Sequence, residues 1–248
     1  MTPLYRDTRF TFRFADDRCV HRFHLEGVAA GRRVTVYRLD PATGEPLERI
    51  AAGHAGADGW VELREPLVVR GGEGFIAVAE GDTLVRDETP ADHVAVRGVV
   101  RAAFGHDDEA DLVDALRAGG FVRAAFVAEV NGEVVGHVLF TRLPVETADG
   151  VVETLALAPM AVAPEWQRRG VGSDLIHAAL AACRERGHRA VVVLGHVEYY
   201  PRFGFSSALA ERLRSPFPGP HFMALELVPG ALDGVEGKVC YAPPFGVD

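Results

Sequence analysis

The sequence predicts a mixed α/β fold, an α+β sheet carrying helices, behind a smaller N-terminal all-β domain of sandwich-like type. Three observations predict it. The apolar period changes from two to about 3.6 near residue 84. Asn131-Gly132 sits between two apolar runs, a strong hairpin signal. A glycine-rich turn, Gln167-Arg168-Arg169-Gly170-Val171-Gly172-Ser173, joins an apolar strand to a helix. The 248 residues therefore divide into domains of 1–83 and 84–248.

In the first domain, Phe10, Phe12 and Phe14 alternate with Arg9, Thr11 and Arg13, the period of a half-buried strand. Short strands follow at 20–28, 33–39, 47–51, 60–64 and 74–79. Asp40-Pro41-Ala42-Thr43-Gly44, the run from Gly53 to Gly59, and Gly71-Gly72 supply the turns between them. Strands this short and evenly spaced predict a small sandwich. Docking, dimerisation, substrate guidance and simple packing all remain open as its role.

In the second domain, Thr89-Pro90 is an N-cap followed by proline at the first helical position. A helix runs from there to Phe104, and another from Asp108 until Gly119-Gly120 stops it. Strands at 122–130 and 133–142 flank Asn131-Gly132. A strand ending at Val162, a helix over 174–186, a strand over 189–194, a short helix over 206–213, and strands near 221–227 and 238–241 complete the order.

Composition bounds the function. At 48% hydrophobic and 25% charged residues the chain is globular, and a net charge of −9 opposes non-specific binding to nucleic acid or acidic lipid. Cys19, Cys183 and Cys240 are unpatterned and read as free thiols in a reducing compartment. Met1-Thr2-Pro3 opens no apolar leader, and no segment approaches 20 uninterrupted apolar residues, so a cytoplasmic location without membrane partners is expected. His21 and His24, three apart in a strand, cannot share a metal, and no other pattern calls for one.

The 167–173 turn carries the chemistry. A strand handing over to a helix leaves backbone N–H groups without partners, and the positive end of the helix dipole adds to them, so the turn suits an anion. Gly170 and Gly172 lack a Cβ and allow close approach. A lysine-bearing P-loop is excluded, because Lys238 is the chain's one lysine. A dinucleotide fingerprint is excluded by the missing third glycine and missing downstream acid.

Downstream, Tyr199-Tyr200-Pro201-Arg202-Phe203-Gly204-Phe205 places a tyrosine four residues before a Gly-Phe pair. Together with Ala161-Val162-Ala163-Pro164 and Gln167-Arg168-Arg169-Gly170-Val171-Gly172, it resembles the GNAT superfamily of acetyl-CoA-dependent N-acetyltransferases, in a bacterial branch, over residues 84 to 248. The resemblance implies an N-acetyltransferase with acetyl-CoA as co-substrate and a small-molecule or protein amine as acceptor. The backbone of Met160, Ala161 and Val162 would pair with the pantetheine. Gln167, Arg168, Arg169, Gly170, Val171, Gly172 and Ser173 would hold the pyrophosphate.

Transfer needs an oxyanion donor and a proton for the departing thiolate. Backbone N–H groups near Val162 are candidates for the first, and Tyr200, with Tyr199 as fallback, for the second. A phenol ordinarily titrates at about pH 10 and so keeps its proton at neutral pH. The base stays open among His106, Asp107, Asp108, Glu109, His196 and water. Cys183 falls on the apolar stripe of its helix, as core. The expected activity is direct transfer to an amine. The rival is a non-catalytic acyl-CoA sensor or scaffold using the β domain for protein contacts, and a homodimer is allowed.

Overall fold

The structure, a computed structural model, describes residues 9–25, 28, 32–42, 46–79 and 81–247. The expected absence of a leader at Met1-Thr2-Pro3, the Thr43-Gly44 part of a turn and residues 26–27 lie outside them, as does the side chain of Phe10; the strand expected over 20–28 ends at His24. Residue contacts divide the chain into two units, Met1–Arg86 with Glu129–Glu133, and Asp87–Ala128 with Val134–Asp248.

The first unit contains β1 (Arg9–Arg13), β2 (Arg18–His24), β3 (Arg33–Leu39), β4 (Pro46–Ala55), β5 (Trp60–Val69) and β6 (Gly74–Ala79), then the short β7 (Leu84–Asp87) at its boundary. Strands β1 to β6 form one antiparallel sheet in the order β1-β6-β3-β4-β5-β2. Phe12 of β1 packs on Phe75 of β6 at 5.7 Å and on Phe23 of β2 at 5.4 Å between ring centroids. The ends of the sheet thus meet across one apolar interior, sandwich-like, around Val34, Val36, Val61, Leu67 and Phe75.

The second unit contains α1 (His93–Phe104), α2 (Asp108–Ala118), β8 (Val122–Val130), β9 (Glu133–Thr147), β10 (Gly150–Val162), α3 (Val171–Glu185), β11 (Ala190–Leu194), β12 (Leu213–Arg214), β13 (Phe222–Glu226) and β14 (Gly237–Val239). Its sheet runs β12-β14-β9-β10-β11-β13, with β8 joined to β9 by the hairpin at Asn131-Gly132. Both turn residues have positive φ, 56° and 83°, as this two-residue connection requires. The pairing of β10 with β11 is parallel and the rest of that path beyond β9 is antiparallel.

Paired residues of neighbouring antiparallel strands share a face. Gly136, Val138 and Phe140 of β9 pair with Val162, Met160 and Leu157 of β10, and the space above Gly136 is filled by Leu175 of α3. That is the α3 face. His137, Leu139 and Thr141 occupy the other face, where Leu139 packs with Val113 and Leu116 of α2 and Ala161 packs with Val96, Val99 and Val100 of α1. Fully burying each such Leu or Val contributes about 1.5–3 kcal/mol.

Several boundaries differ from expectation: β4, β5 and β9 run on to Ala55, Val69 and Thr147, past the expected 51, 64 and 142. Helix α3 begins at Val171, not at residue 174, because Gly170 adopts φ 98° and serves as its N-cap. The helix expected over 206–213 is only a 3₁₀ turn, Ala208–Ala210, since Ser206 instead pairs with Ala224 as a β-bridge. Strand β10 starts at Gly150, making a long hairpin with β9.

Candidate functional site

The site begins where β10 leaves β11. The two strands pair only at Leu155–Val191, Ala156–Val192 and Leu157–Val193. Beyond Leu157 the β9 register slips by one residue before resuming at Met160–Val138, a bulge at Ala158-Pro159. Proline has no N–H to give a ladder, so a bulge is where it fits.

Past the bulge one edge of β10 faces a gap. Ala163 N–H donates to Val135 O at 2.8 Å, so the backbone of Ala163, and by alternation Ala161, is turned to β9. The N–H and C=O groups of Met160 and Val162 then point the opposite way, into the gap. Gln167 Nε2 donates to Val162 O at 3.0 Å, so this side chain ties the turn to the strand.

At the end of the gap, Arg168 (φ 59°) and Gly170 (φ 98°) bend the chain into α3. The left-handed backbone at Gly170 lets Ser173 and Asp174 N–H both donate to Gly170 O, at 2.8 and 3.0 Å. The amides of Val171 and Gly172 lie in the first turn, ahead of any i−4 carbonyl within the helix. A Cβ on Gly172 would stand 2.8 Å from Tyr199 Oη and 3.0 Å from Met160 Cε, so the turn is closely lined.

Two adjacent tyrosines close the other side. Tyr200 is 8% exposed, and its ring lies so close over Gly195 that a Cβ there would overlap it. Burial raises its pKa, with Tyr199 adding to the shift, so the phenol holds its proton throughout the neutral range. Burial also raises Tyr199, against the opposing pull of Ser173 and Arg202. The Arg202 guanidinium stands 5.5 Å from the Tyr199 ring centroid, and its Nη2 is 3.5 Å from Ser173 Oγ.

These elements enclose a cleft of about 650 Å³. Of the expected residues, Met160, Ala161, Val162, Gln167, Arg168, Gly170, Gly172, Ser173 and Tyr200 line it. Arg169 and Val171 do not: the Arg169 guanidinium sits 5.2 Å from the Trp166 ring and the Val171 side chain is buried in the core. Ala103 and Phe104, at the end of α1, also line the cleft, brought there through tertiary packing. His196 also lines the cleft, whereas His106, Asp107, Asp108 and Glu109 do not. Asp107 faces Arg97 and Arg101, and His106 faces Glu109 at 3.1 Å.

Among the described residues the cleft lining contains Arg168 and Arg202 and no carboxylate, inside a protein of net charge −9. Every lining residue belongs to the second unit. Cys183 is core, its thiol pushed up to about 12 by burial. Among the described residues there is no cluster of His, Cys, Asp and Glu that fits a metal, and no helix long and apolar enough to cross a membrane.

Residues 85–208 match the family model described as an acetyltransferase (GNAT) domain. The chain is 36% identical over 165 residues to the uncharacterised N-acetyltransferase YhbS of Escherichia coli K12, spanning 65% of this chain and 98% of that protein. The crystal structure of E. coli YhbS in complex with CoA superposes with a TM-score of 0.62 at 35% identity, covering 66% of this chain and 92% of that one. A GNAT acetyltransferase from Brucella melitensis in complex with acetyl-CoA gives 0.55 at 33% identity, covering 66% and 98%.

Proposed function

The chain belongs to the GNAT family of acetyl-CoA-dependent N-acetyltransferases, and on that premise we propose that it acetylates an amine by direct transfer in the cleft where β10 parts from β11. The observation that carries the proposal is the convergence of three parts on one cleft: the outward edge at Met160 and Val162, the helix N-terminus at Gly170–Ser173, and the side chain of Tyr200.

The pantetheine amides pair with the outward N–H and C=O of Met160, as an added strand would. The pyrophosphate rests on the first-turn amides of α3, with Arg168 and Arg202 adding charge. The amine nitrogen attacks the thioester carbonyl carbon, so a C–N bond forms as the C–S bond breaks. The Val162 N–H faces the carbonyl oxygen as negative charge develops there. Tyr200 gives its proton to the departing sulfur, and the proton released by the attacking amine passes to water or His196, restoring the phenol on turnover. Holding both reactants in one cleft supplies much of the rate.

The test separates cofactor binding from turnover. Calorimetry with acetyl-CoA should show binding, and a thiol reagent should show CoA release that depends on added amine. Binding without release across a broad amine panel would favour the sensor instead. Arg202→Ala should raise the KM for acetyl-CoA by about fivefold, an effect that shrinks at high salt.

Gly195→Ala tests how Tyr200 is held. The new methyl would occupy the place of the Tyr200 ring edge, so the ring must move. A displacement of this order predicts kcat lower by about tenfold or more, with the KM for acetyl-CoA little changed. An unaltered kcat would remove Tyr200 from the mechanism.

A further inference from the structure

The second unit holds another cavity, of about 210 Å³, on the face of the sheet opposite α3. Ala156 of β10 pairs with Thr141 of β9, which fixes its side chain on the α1 and α2 face. Val192 of β11 belongs to the same apolar cluster as Ala156, together with Leu213, Phe222 and Val239. By alternation Leu194 continues this face. Ala156, Ala158, Val192 and Leu194 form the floor of the cavity, and Phe217, Tyr241 and Phe245 form its walls.

Its position is what matters. Ala158 lies in the bulge, two residues before Met160, and Leu194 is the last residue of β11, two before His196. Both Met160 and His196 line the cofactor cleft. The second cavity therefore sits beside the gap where the strands part, on the side away from the α3 N-terminus. The cleft itself reaches this side, because Ala161, Ala103 and Phe104 line it too. A molecule in the second cavity has the gap between β10 and β11 at one end.

The lining defines the ligand. Among the described residues it contains no charged one, and its aromatic wall is set edge to face: Tyr241 stands 5.5 Å from Phe245 and 6.2 Å from Phe217. A cationic or polyhydroxylated body would lose its water there without compensation. An apolar cavity of about 150 Å³ suffices for benzene.

We propose that this cavity is the acceptor subsite and that it takes a primary amine joined by a short arm to a compact apolar or aromatic group. The apolar group fills the space between Leu194, Phe217, Tyr241 and Phe245, and the amine extends through the gap toward the thioester. The assignment rests on the acetyltransferase reading of the cleft.

The experiment uses the full chain loaded with CoA and follows 2-phenylethylamine by saturation-transfer NMR, with spermidine and glucosamine as controls. The phenylalkylamine should bind more tightly than either control. Leu194→Asp and Phe217→Ala should each weaken it by about tenfold. Leu194 and Phe217 are 48% and 38% exposed, so both variants keep the fold, and acetyl-CoA affinity should change less than about twofold. Failure of 2-phenylethylamine to bind, equal binding by both variants, or tighter binding of spermidine or glucosamine would overturn the assignment. Loss of acetyl-CoA binding by the unmodified protein would overturn the cofactor reading beneath it as well, a distinguishable result.

Discussion

Tyr200→Phe is expected to lower kcat about a hundredfold while leaving the KM for acetyl-CoA nearly unchanged. The substitution removes one oxygen from a ring packed between Gly195 and Phe205, so the fold and the cofactor contacts persist. On the proposed mechanism the thiolate then leaves without an acid. The pKa shift sets the pH behaviour. Burial raises the phenol, so the donor stays protonated below that raised value, and no alkaline loss of kcat from Tyr200 is expected below about pH 10. Tyr199→Phe should act differently, because Tyr199 stands beside Gly172 and Ser173 at the helix N-terminus. It should mainly raise the KM for acetyl-CoA. Steady-state kinetics on both variants decide the matter, and the reverse pattern would transfer the donor role to Tyr199.

Glu88→Ala is expected to destabilise the protein by about 3–5 kcal/mol, a fall in Tm on the order of 10 °C by calorimetry. Arg117 Nε and Nη2 donate to the two carboxylate oxygens of Glu88 at 2.9 and 2.7 Å. His137 Nε2 lies 2.7 Å and His93 Nε2 3.2 Å from the same group. Glu88 and Arg117 are nearly buried and His137 is fully so. Removing the carboxylate leaves the Arg117 charge without its main partner. The cluster joins the approach to α1, the end of α2 and β9, and α1 delivers Ala103 and Phe104 to the cleft.

The same cluster predicts acid sensitivity. Burial lowers His137 below the usual histidine range despite the pull of Glu88, so it is neutral when folded. The unfolded chain binds a proton there as pH falls through about 6.5, and stability declines from that point. Burial alone would raise Glu88, but His137 and Arg117 outweigh it and hold its pKa down. The contribution of Glu88 is therefore present above about pH 4.3 and lost as pH falls through its lower folded value. Tm measured against pH should be level near neutrality, drop below about 6.5, and lose its lower component in Glu88→Ala. A flat profile would contradict this account.

Much of the site is readable along the chain, because its signals are local. Gly170 and Gly172 at a strand-to-helix turn imply unpaired amides, and Asn131-Gly132 implies a hairpin whatever surrounds it. Pro159 implies a break in a ladder. Cys183 reads as core from helical spacing, and is buried. Local propensity puts the start of α3 too late, because glycine's weak preference for helix hides a first turn that needs no propensity once Gly170 caps it.

Other features depend on which surfaces meet. Simple alternation along residues 155–162 puts Met160 and Val162 on the face of Ala156, yet the bulge adds one residue and turns both onto the α3 face with Leu157. Glu88, Arg117 and His137 are up to 49 positions apart, and only packing brings them within hydrogen-bonding distance. The same holds for the aromatic wall of Phe217, Tyr241 and Phe245 beside Leu194. Turn chemistry and periodicity are properties of a few consecutive residues, so the chain order carries them and, with them, the donor. A register slip, a buried ion cluster and a cavity are properties of pairs distant in the chain, so the cavity proposed for the acceptor emerges only when the sheet is assembled.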